Sequence, residues 1–162
     1  MVSSPERPSP LLMTELPKRP WDLLGIDICG PFPSGVSILT VVDYYSRFPF
    51  ADVIRSTITS VIIDHLFKIF AVHGLPEIIN TDNGPQFVSE EFKQFTIVNS
   101  IKHHKVTPYW PQANGQVERI NKFLKKNIQC SSSEGNNWKH SLDSFLMNYR
   151  STTHSTTNGV FT

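Results

Sequence analysis

The chain has two cysteines and no long hydrophobic run, and each shortage excludes a class of protein. Cys29 and Cys130 do not form a Cys-x-x-Cys pair, so neither a disulfide framework nor a cysteine-based zinc site is expected. No apolar stretch approaches the roughly 20 residues of a membrane-spanning helix. Residues 1–8 lack the hydrophobic segment of a secretory signal. We therefore expect synthesis in the cytosol and no membrane partner.

The chain also carries little net charge, +1 over 162 residues, so the overall charge does not indicate a nucleic-acid partner. The distribution of charge says more. Residues 102–126 hold six lysines and arginines and only one acid, Glu118, whereas the rest of the chain is net acidic. This local excess predicts a surface that faces an anion. An ordinary solvated helix face is the alternative interpretation.

Proline content separates an arm from a core. The first 20 residues hold five of the 12 prolines and predict an extended arm, which we bound at residues 1–18. Residues 19–150 are expected to form one folded core, since the chain is long enough to bury a sizeable interior. Residues 151–162 are polar and unpatterned, and we interpret them as a tail.

Strand and helix patterns alternate within this core. Strands are predicted at residues 23–29, 36–43, 48–54, 77–81 and 101–106. Helices are predicted at residues 59–72, 89–99, 115–129 and 138–149. The second and third strands form a hairpin, and Pro49 suits an edge strand. Three early strands followed by alternating helices and strands predict one α/β domain with a mixed sheet.

Three carboxylates occupy positions typical of a metal site. Asp27 lies near the end of the first predicted strand, and Asp82 directly follows the fourth. If these strands are adjacent and parallel, the two side chains meet at the edge of the sheet where α/β proteins bind ligands. Glu118 is the third acid, and 35 residues separate it from Asp82. Acids brought together repel, so we expect cations to hold them. A turn-capping role is the alternative for Asp82.

Glu118 lies on a predicted helix with two distinct faces. At 100° per residue, one stripe is apolar and is expected to pack on the sheet; it contains Val117, Ile120, Leu124 and Ile128. The other stripe combines Glu118 with an amide and two lysines, Asn121, Lys122 and Lys125. This arrangement predicts a metal-binding acid beside cations that bind phosphate. Mg²⁺ prefers such oxygen ligands, and a pair of ions can promote in-line displacement at a phosphodiester.

Several phrases of the sequence match one family jointly. They occupy residues 19–22, 26–33, 41–47, 74–77, 81–87, 114–121 and 148–154. Together they resemble the catalytic core of retroviral and long-terminal-repeat retrotransposon integrases, in particular the Ty3/Gypsy-like branch. The resemblance covers residues 19–157. It implies an RNase H-like fold, with a five-stranded mixed sheet flanked by helices.

The resemblance also implies an activity and a set of site residues. Asp27, Asp82 and Glu118 would be the catalytic acids that hold two Mg²⁺ or Mn²⁺ ions. Family enzymes trim the 3′ ends of an element's DNA and join them to target DNA, act as multimers and work in the nucleus. We therefore expect DNA, and a homodimer or a higher multimer, as partners. The implied DNA contacts are Asn83, Gln112, Asn114, Gln116, Asn121, Lys122 and Lys125, and residues 108–115 match the family's active-site loop.

The sequence departs from the family pattern at both ends. Family members usually carry a zinc-binding domain before this core and a DNA-binding tail after it, so we expect a truncated fragment, an isolated core or a domesticated copy. Asp43 and the pair His103-His104 are interpreted as structural. Two alternatives stay open. The chain could be a catalytically inactive or domesticated retrotransposon-derived module that binds DNA or supports assembly, or an RNase H-like nuclease or cut-and-paste transposase.

Overall fold

The computed structural model describes residues 17–105, 119–127 and 138–151. Its sheet has five strands, which are β1 (Leu23–Cys29), β2 (Ser37–Asp43), β3 (Pro49–Ile54), β4 (Ile78–Asn80) and β5 (Lys102–His104). The strand order is β3-β2-β1-β4-β5. The β1–β2 and β2–β3 pairs are antiparallel, whereas β1–β4 and β4–β5 are parallel. The predicted mixed sheet is confirmed.

The predicted strands were slightly too long at their ends. The second and third each begin one residue later than predicted, and the fourth loses residues 77 and 81. The fifth begins at Lys102 rather than 101, and residue 106 lies outside the described part of the chain. The residues flanking β4 still bond to the β5 segment, because Lys102 N–H donates to Glu77 O and Thr81 N–H donates to His104 O. The ladder therefore extends beyond the paired residues of β4.

Within the described residues, five helical segments flank the sheet. They are α1 (Thr59–His73), α2 (Pro85–Val88), α3 (Glu90–Val98), α4, helical at 119–127, and α5 (Trp138–Ser151). α1 ends at His73, and the capping residue that follows it is Gly74, whose φ of 88° is tolerated by glycine, as its position predicts. The Ser89 side chain caps α3 by accepting from Phe92 N–H at 3.2 Å. No described helix is long and apolar enough to cross a membrane.

The sheet is covered on both faces, which gives three layers. Leu24 and Ile26 of β1 belong to a core shared with α1, α2 and α3. Cys29, which is buried and free, belongs to a second core with the apolar residues of α4 and α5. Alternate residues of β1 therefore face opposite layers. Asp27 lies two residues before Cys29 and therefore on the same face of β1, so its side chain is directed toward the α4 layer.

Two polar clusters fix the edge of the sheet and its hairpin. Asp43 is 2% exposed, and its carboxylate accepts from Trp21 N–H, Tyr45 N–H and both the N–H and the hydroxyl of Ser46. Its predicted structural role is confirmed. Pro49 begins the edge strand β3, also as predicted, and its carbonyl accepts a 2.7 Å hydrogen bond from the Arg150 guanidinium of α5.

The arm and tail predicted at 1–18 and 151–162 lie almost entirely outside the described residues.

Candidate active site

The parallel pairing of β1 with β4 brings two of the predicted acids together. The register joins Leu23 to Ile78 and Gly25 to Asn80. Continued by two residues, the same register places Asp27 beside Asp82. β4 has ended by then, so Asp82 lies on the turn that follows it, exposed to solvent. Both acids thus lie at the carboxyl end of a parallel strand pair, where α/β sheets bind ligands, and the charge of Asp82 acts on Asp27.

The Asp27 carboxylate is partly buried and held by two hydrogen bonds. Ile28 N–H donates to Oδ1 at 2.8 Å, and Asn121 Nδ2 donates to Oδ2 at 2.7 Å. Burial raises the pKa of Asp27, and the charge of Asp82 raises it further. The two hydrogen bonds and the charge of Lys125 act in the opposite direction. The protein thus orients the Asp27 carboxylate, but it does not fully offset the cost of its negative charge.

Asp82 is oriented by the turn that carries it. Its Oδ1 accepts from Gly84 N–H at 2.8 Å, so the turn-capping contact considered as an alternative is present. A Cβ on Gly84 would lie 2.9 Å from this oxygen and 2.7 Å from Gln86 Nε2, so a larger residue would displace the ends of these two side chains. Capping does not exclude metal binding, since a carboxylate has about four lone-pair positions. The short helix α2 begins at Pro85, which suits the first helical position.

Asn121 contacts Asp27, a contact that was not predicted from the sequence. Its Oδ1 lies 3.5 Å from Thr40 Oγ1, which is also 3.2 Å from the carbonyl oxygen of Asp27. Asn121 therefore links α4 to β1 and β2 directly behind the carboxylate. Thr40 was not among the predicted residues, although its place opposite Asp27 in the β1–β2 register would have identified it. A DNA contact by Asn121 stays a prediction.

The described part of α4 has the two faces predicted for it. Ile120 and Leu124 are 2% and 0% exposed and pack in the second core. Lys122 and Lys125 are exposed, and so are Arg119 and Lys126. Lys125 is close enough to the acids for its charge to lower the pKa of Asp27. A cationic helix surface therefore borders the carboxylate pair.

The remaining residues singled out in the sequence are either exposed near Asp82 or outside the described part of the chain. Asn83 is exposed beside Asp82. Five of the residues lie outside the described part of the chain, namely Gln112, Asn114, Gln116, Glu118 and Cys130. The loop predicted at 108–115 also lies outside it. Within residues 17–105, 119–127 and 138–151 there is no group of three His, Cys, Asp or Glu residues that could hold a metal ion. The described site is thus a pair of acids.

A buried tyrosine lies next to the acids and was also missed. Tyr44 is 6% exposed and lies across Gly25, where a Cβ would be 2.7 Å from its hydroxyl oxygen. Burial raises the pKa of Tyr44 to about 12, and the charge of Asp27 contributes to the rise. The phenol is therefore neutral at physiological pH. The only sequence signal for this contact is a glycine in the middle of a strand.

Comparisons with known sequences agree on one family. A family model described as the integrase core domain matches residues 17–111. An uncharacterized protein of Caenorhabditis elegans is 37% identical over 150 residues, which are 93% of this chain and 12% of that protein. The Pro-Pol polyprotein of feline foamy virus is 34% identical over 118 residues, 68% of this chain and 10% of the polyprotein. The chain spans 12% or less of the length of these relatives.

Comparisons with solved structures agree on the fold. The HTLV-2 integrase catalytic core domain, solved in complex with magnesium in a trimeric form, matches with a TM-score of 0.70 and 21% identity, over 88% of this chain and 94% of that one. A chain of the simian T-cell lymphotropic virus intasome, solved in complex with the PP2A regulatory subunit B56 gamma, matches with a TM-score of 0.60 and 29% identity, over 80% of this chain and 49% of that one. The predicted RNase H-like fold is confirmed.

Proposed function

The chain belongs to the integrase core domain family, and we propose that it is the catalytic core of an integrase-type polynucleotidyl transferase. The reaction would be trimming of the 3′ ends of an element's DNA and joining of those ends to target DNA. One observation carries the proposal. Asp27 and Asp82 lie together at the carboxyl end of the β1–β4 pair, beside the cationic surface of α4.

The described residues fit a divalent cation. Burial and the charge of Asp82 destabilise the charged form of Asp27 and so raise its pKa. A bound cation would offset this destabilisation. The donors are carboxylate oxygens, which Mg²⁺ and Mn²⁺ prefer. Asp27, Asp82 and Glu118 are the proposed ligands of two ions. When bound, the ions would activate the attacking oxygen and stabilise the leaving oxygen.

The chain's own residues would orient the acids and the DNA. Asn121 and Ile28 N–H fix the two oxygens of Asp27, and Gly84 N–H fixes one oxygen of Asp82. The exposed ammonium groups of α4 would neutralise backbone phosphates next to the acids. The proposed DNA contacts are Asn83, Gln112, Asn114, Gln116, Asn121, Lys122 and Lys125. Positioning and charge account for most of the catalysis in phosphoryl transfer, so this arrangement suits the reaction.

Substitution of Asp82 by asparagine tests the catalytic proposal. The change removes the ligand charge with little change in volume, so we expect unaltered folding and a loss of at least about 100-fold in activity, which is the upper end of the cost of losing support behind a metal ligand. The substrate is branched DNA that imitates the integration product, supplied with Mn²⁺, and the readout is rejoining of strands. Asp64→Asn, on the exposed face of α1, is the matched control and should retain activity. Rejoining by the Asp82 variant at the wild-type rate would contradict the proposal.

Substitution of the α4 lysines tests the DNA surface. Lys122→Ala and Lys125→Ala should each weaken DNA binding and reduce the slope of log K against log salt by about one, since each removes one phosphate contact. Fluorescence anisotropy at several salt concentrations measures both quantities. Lys93→Ala, on the exposed face of α3, should leave the slope unchanged. An unchanged slope in the α4 variants would show that these lysines do not face DNA.

A DNA-binding or assembly module is the second candidate, because the cationic surface of α4 does not depend on the acids. It predicts normal DNA binding by the wild-type chain without any strand rejoining. Free cleaved ends without joining would instead indicate a nuclease. We further propose a homodimer or higher multimer, since the HTLV-2 integrase catalytic core domain has been solved in dimeric and trimeric forms. Its proposed place of action is the nucleus, as the family resemblance implies. Light scattering of the purified chain tests the assembly.

A further inference from the structure

A histidine on β5 reaches the main chain of Asp82 through one hydroxyl group. Thr81 Oγ1 lies 2.8 Å from His103 Nε2 and 2.8 Å from the carbonyl oxygen of Asp82. Thr81 is 2% exposed, so water cannot easily replace either partner. The parallel β4–β5 register, which joins Ile79 to His103, brings the imidazole to this position.

The single proton of the Thr81 hydroxyl links the directions of the two hydrogen bonds. A threonine hydroxyl has one proton, and the Asp82 carbonyl can only accept it. If Oγ1 donates to the carbonyl, it must accept from His103, and Nε2 then carries a hydrogen. If Nε2 were unprotonated, the hydroxyl would have to choose between the imidazole and the carbonyl. The tautomer of His103 therefore decides whether the Asp82 carbonyl is held.

The surroundings of His103 favour a fixed, neutral ring. Burial lowers the pKa of His103, and the charges of Lys105 and His104 lower it further. The ring of Phe92, which is fully buried, packs against the imidazole at a centroid distance of 5.0 Å and an interplanar angle of 63°. A ring held in this way can present Nε2–H to Thr81 without rearrangement.

The turn that carries Asp82 needs such support. It follows a strand of only three residues, and its carboxylate is exposed and lies next to the like charge of Asp27. Repulsion between the two carboxylates favours movement of the turn away from β1. Gly84 N–H restrains the carboxylate from one side, and the Thr81 hydroxyl restrains the peptide from the other.

We propose that His103 is a positioning residue, which fixes the Asp82 peptide through the Thr81 hydroxyl and so holds the Asp82 carboxylate beside Asp27 for metal binding. The inference rests on the proposed function, since it assigns Asp82 a ligand role. It goes beyond a structural role for His103, because it requires one tautomer and one hydroxyl. Support behind a ligand commonly contributes about 10–100-fold to metal affinity.

Paired variants of the 162-residue chain test the relay, by which we mean the two hydrogen bonds that join His103 through the Thr81 hydroxyl to the Asp82 carbonyl. Thr81→Val keeps the shape and removes the hydroxyl, whereas Thr81→Ser keeps the hydroxyl. His103→Leu removes the donor, whereas His103→Gln keeps an N–H at a similar reach. The readout is the Mn²⁺ dissociation constant, from the electron paramagnetic resonance signal of the free ion. We expect Thr81→Val and His103→Leu to weaken Mn²⁺ binding by about 10-fold or more. The conservative variants Thr81→Ser and His103→Gln should weaken it by less than about threefold. His104→Gln, at the exposed neighbouring position, is the control and should match the wild type.

Nitrogen-15 spectra of the imidazole provide a readout that a packing role alone would not move. They should show hydrogen on Nε2 of His103 in the wild-type chain, and this measurement stands even if Thr81→Val fails to fold. Hydrogen on Nδ1 alone, or equal Mn²⁺ binding by Thr81→Val and Thr81→Ser, would overturn the positioning role. Asp82→Asn distinguishes failure of the His103 role from failure of the proposed function. If only this variant loses Mn²⁺ affinity, the relay is refuted; if it also binds normally, the proposed function fails with it.

Discussion

Replacement of Asn121 by leucine would remove one of the two hydrogen bonds that hold the Asp27 carboxylate. Leucine has the same number and branching of side-chain heavy atoms as asparagine and lacks the N–H that donates to Asp27 Oδ2 at 2.7 Å. The carboxylate would keep the Ile28 N–H on its other oxygen. The Thr40 hydroxyl would lose a partner at 3.5 Å but keep the Asp27 carbonyl at 3.2 Å. The change is therefore confined to the orientation and the charge of one metal ligand.

The size of the effect follows from the charge on the acceptor. A hydrogen bond to a charged group contributes about 1.5–3 kcal/mol, which corresponds to about 10–150-fold in a binding constant. Asp27 is partly exposed, so water will replace part of the lost bond. We therefore expect the lower end, about 10-fold weaker Mn²⁺ binding by Asn121→Leu, which is also the lower end for loss of ligand support.

The pH dependence of Mn²⁺ binding should shift in the same variant. Metal binding requires the deprotonated carboxylate, so affinity falls as the pH is lowered through the pKa of Asp27. Burial and Asp82 place that pKa above 3.8, and the hydrogen bond from Asn121 lowers it. Removal of this bond raises the pKa, so the loss of affinity in Asn121→Leu should begin at a higher pH than in the wild type.

Electron paramagnetic resonance titrations of Mn²⁺ across pH measure both effects. The control is Asn127→Leu on the same helix, because the Asn127 amide donates to the Phe123 carbonyl within α4 and lies on another side of the helix from Asn121. The control should bind Mn²⁺ like the wild type. Binding by Asn121→Leu within about twofold of wild type, together with an unshifted pH profile, would refute the role assigned to this amide, since about 10-fold is expected.

Three further predictions concern stability. Gly25→Ala should lower the free energy of unfolding by about 1–3 kcal/mol in urea titrations, because its Cβ would lie 2.7 Å from the Tyr44 hydroxyl oxygen; wild-type stability would contradict the close packing. The pKa of Tyr44 is raised from 10.0 to about 12, so its contribution is complete below pH 10 and is lost as the pH rises through 12. Tyr44→Phe should therefore flatten the alkaline fall in melting temperature, and an equally steep fall would refute this. Arg150→Ala should cost about 1–3 kcal/mol in the same urea titrations, because it leaves the Pro49 carbonyl without its guanidinium donor and the Phe48 ring without the cation at 4.5 Å; a cost below about 0.5 kcal/mol would contradict that docking.

The sheet and the acid pair could be predicted because their signals are local and periodic. Alternation in residues 23–29 and the apolar run at 78–79 predict two strands, and a helix lies between the hairpin and the second of them. Short connections and parallel packing then make adjacency of β1 and β4 a reasonable expectation. Once these strands are adjacent, Asp27 and Asp82 meet without any further assumption. The helix α2 was missed because Gly84-Pro85 is equally compatible with a turn and with a helix start.

The contacts around the acids depend on quantities that periodicity does not contain. The helical stripe on α4 includes Asn121, Lys122 and Lys125, but which of them meets Asp27 depends on how far the helix rolls over the sheet. The apolar side chains of Ile120 and Leu124 set that roll by their fit into the second core, and a pattern of polarity does not encode their fit. The position of Thr40 depends on the β1–β2 register, which a shift of one residue would reverse. Roll and register are set by packing, so the sequence predicted the acids that would be held and missed the side chains that hold them.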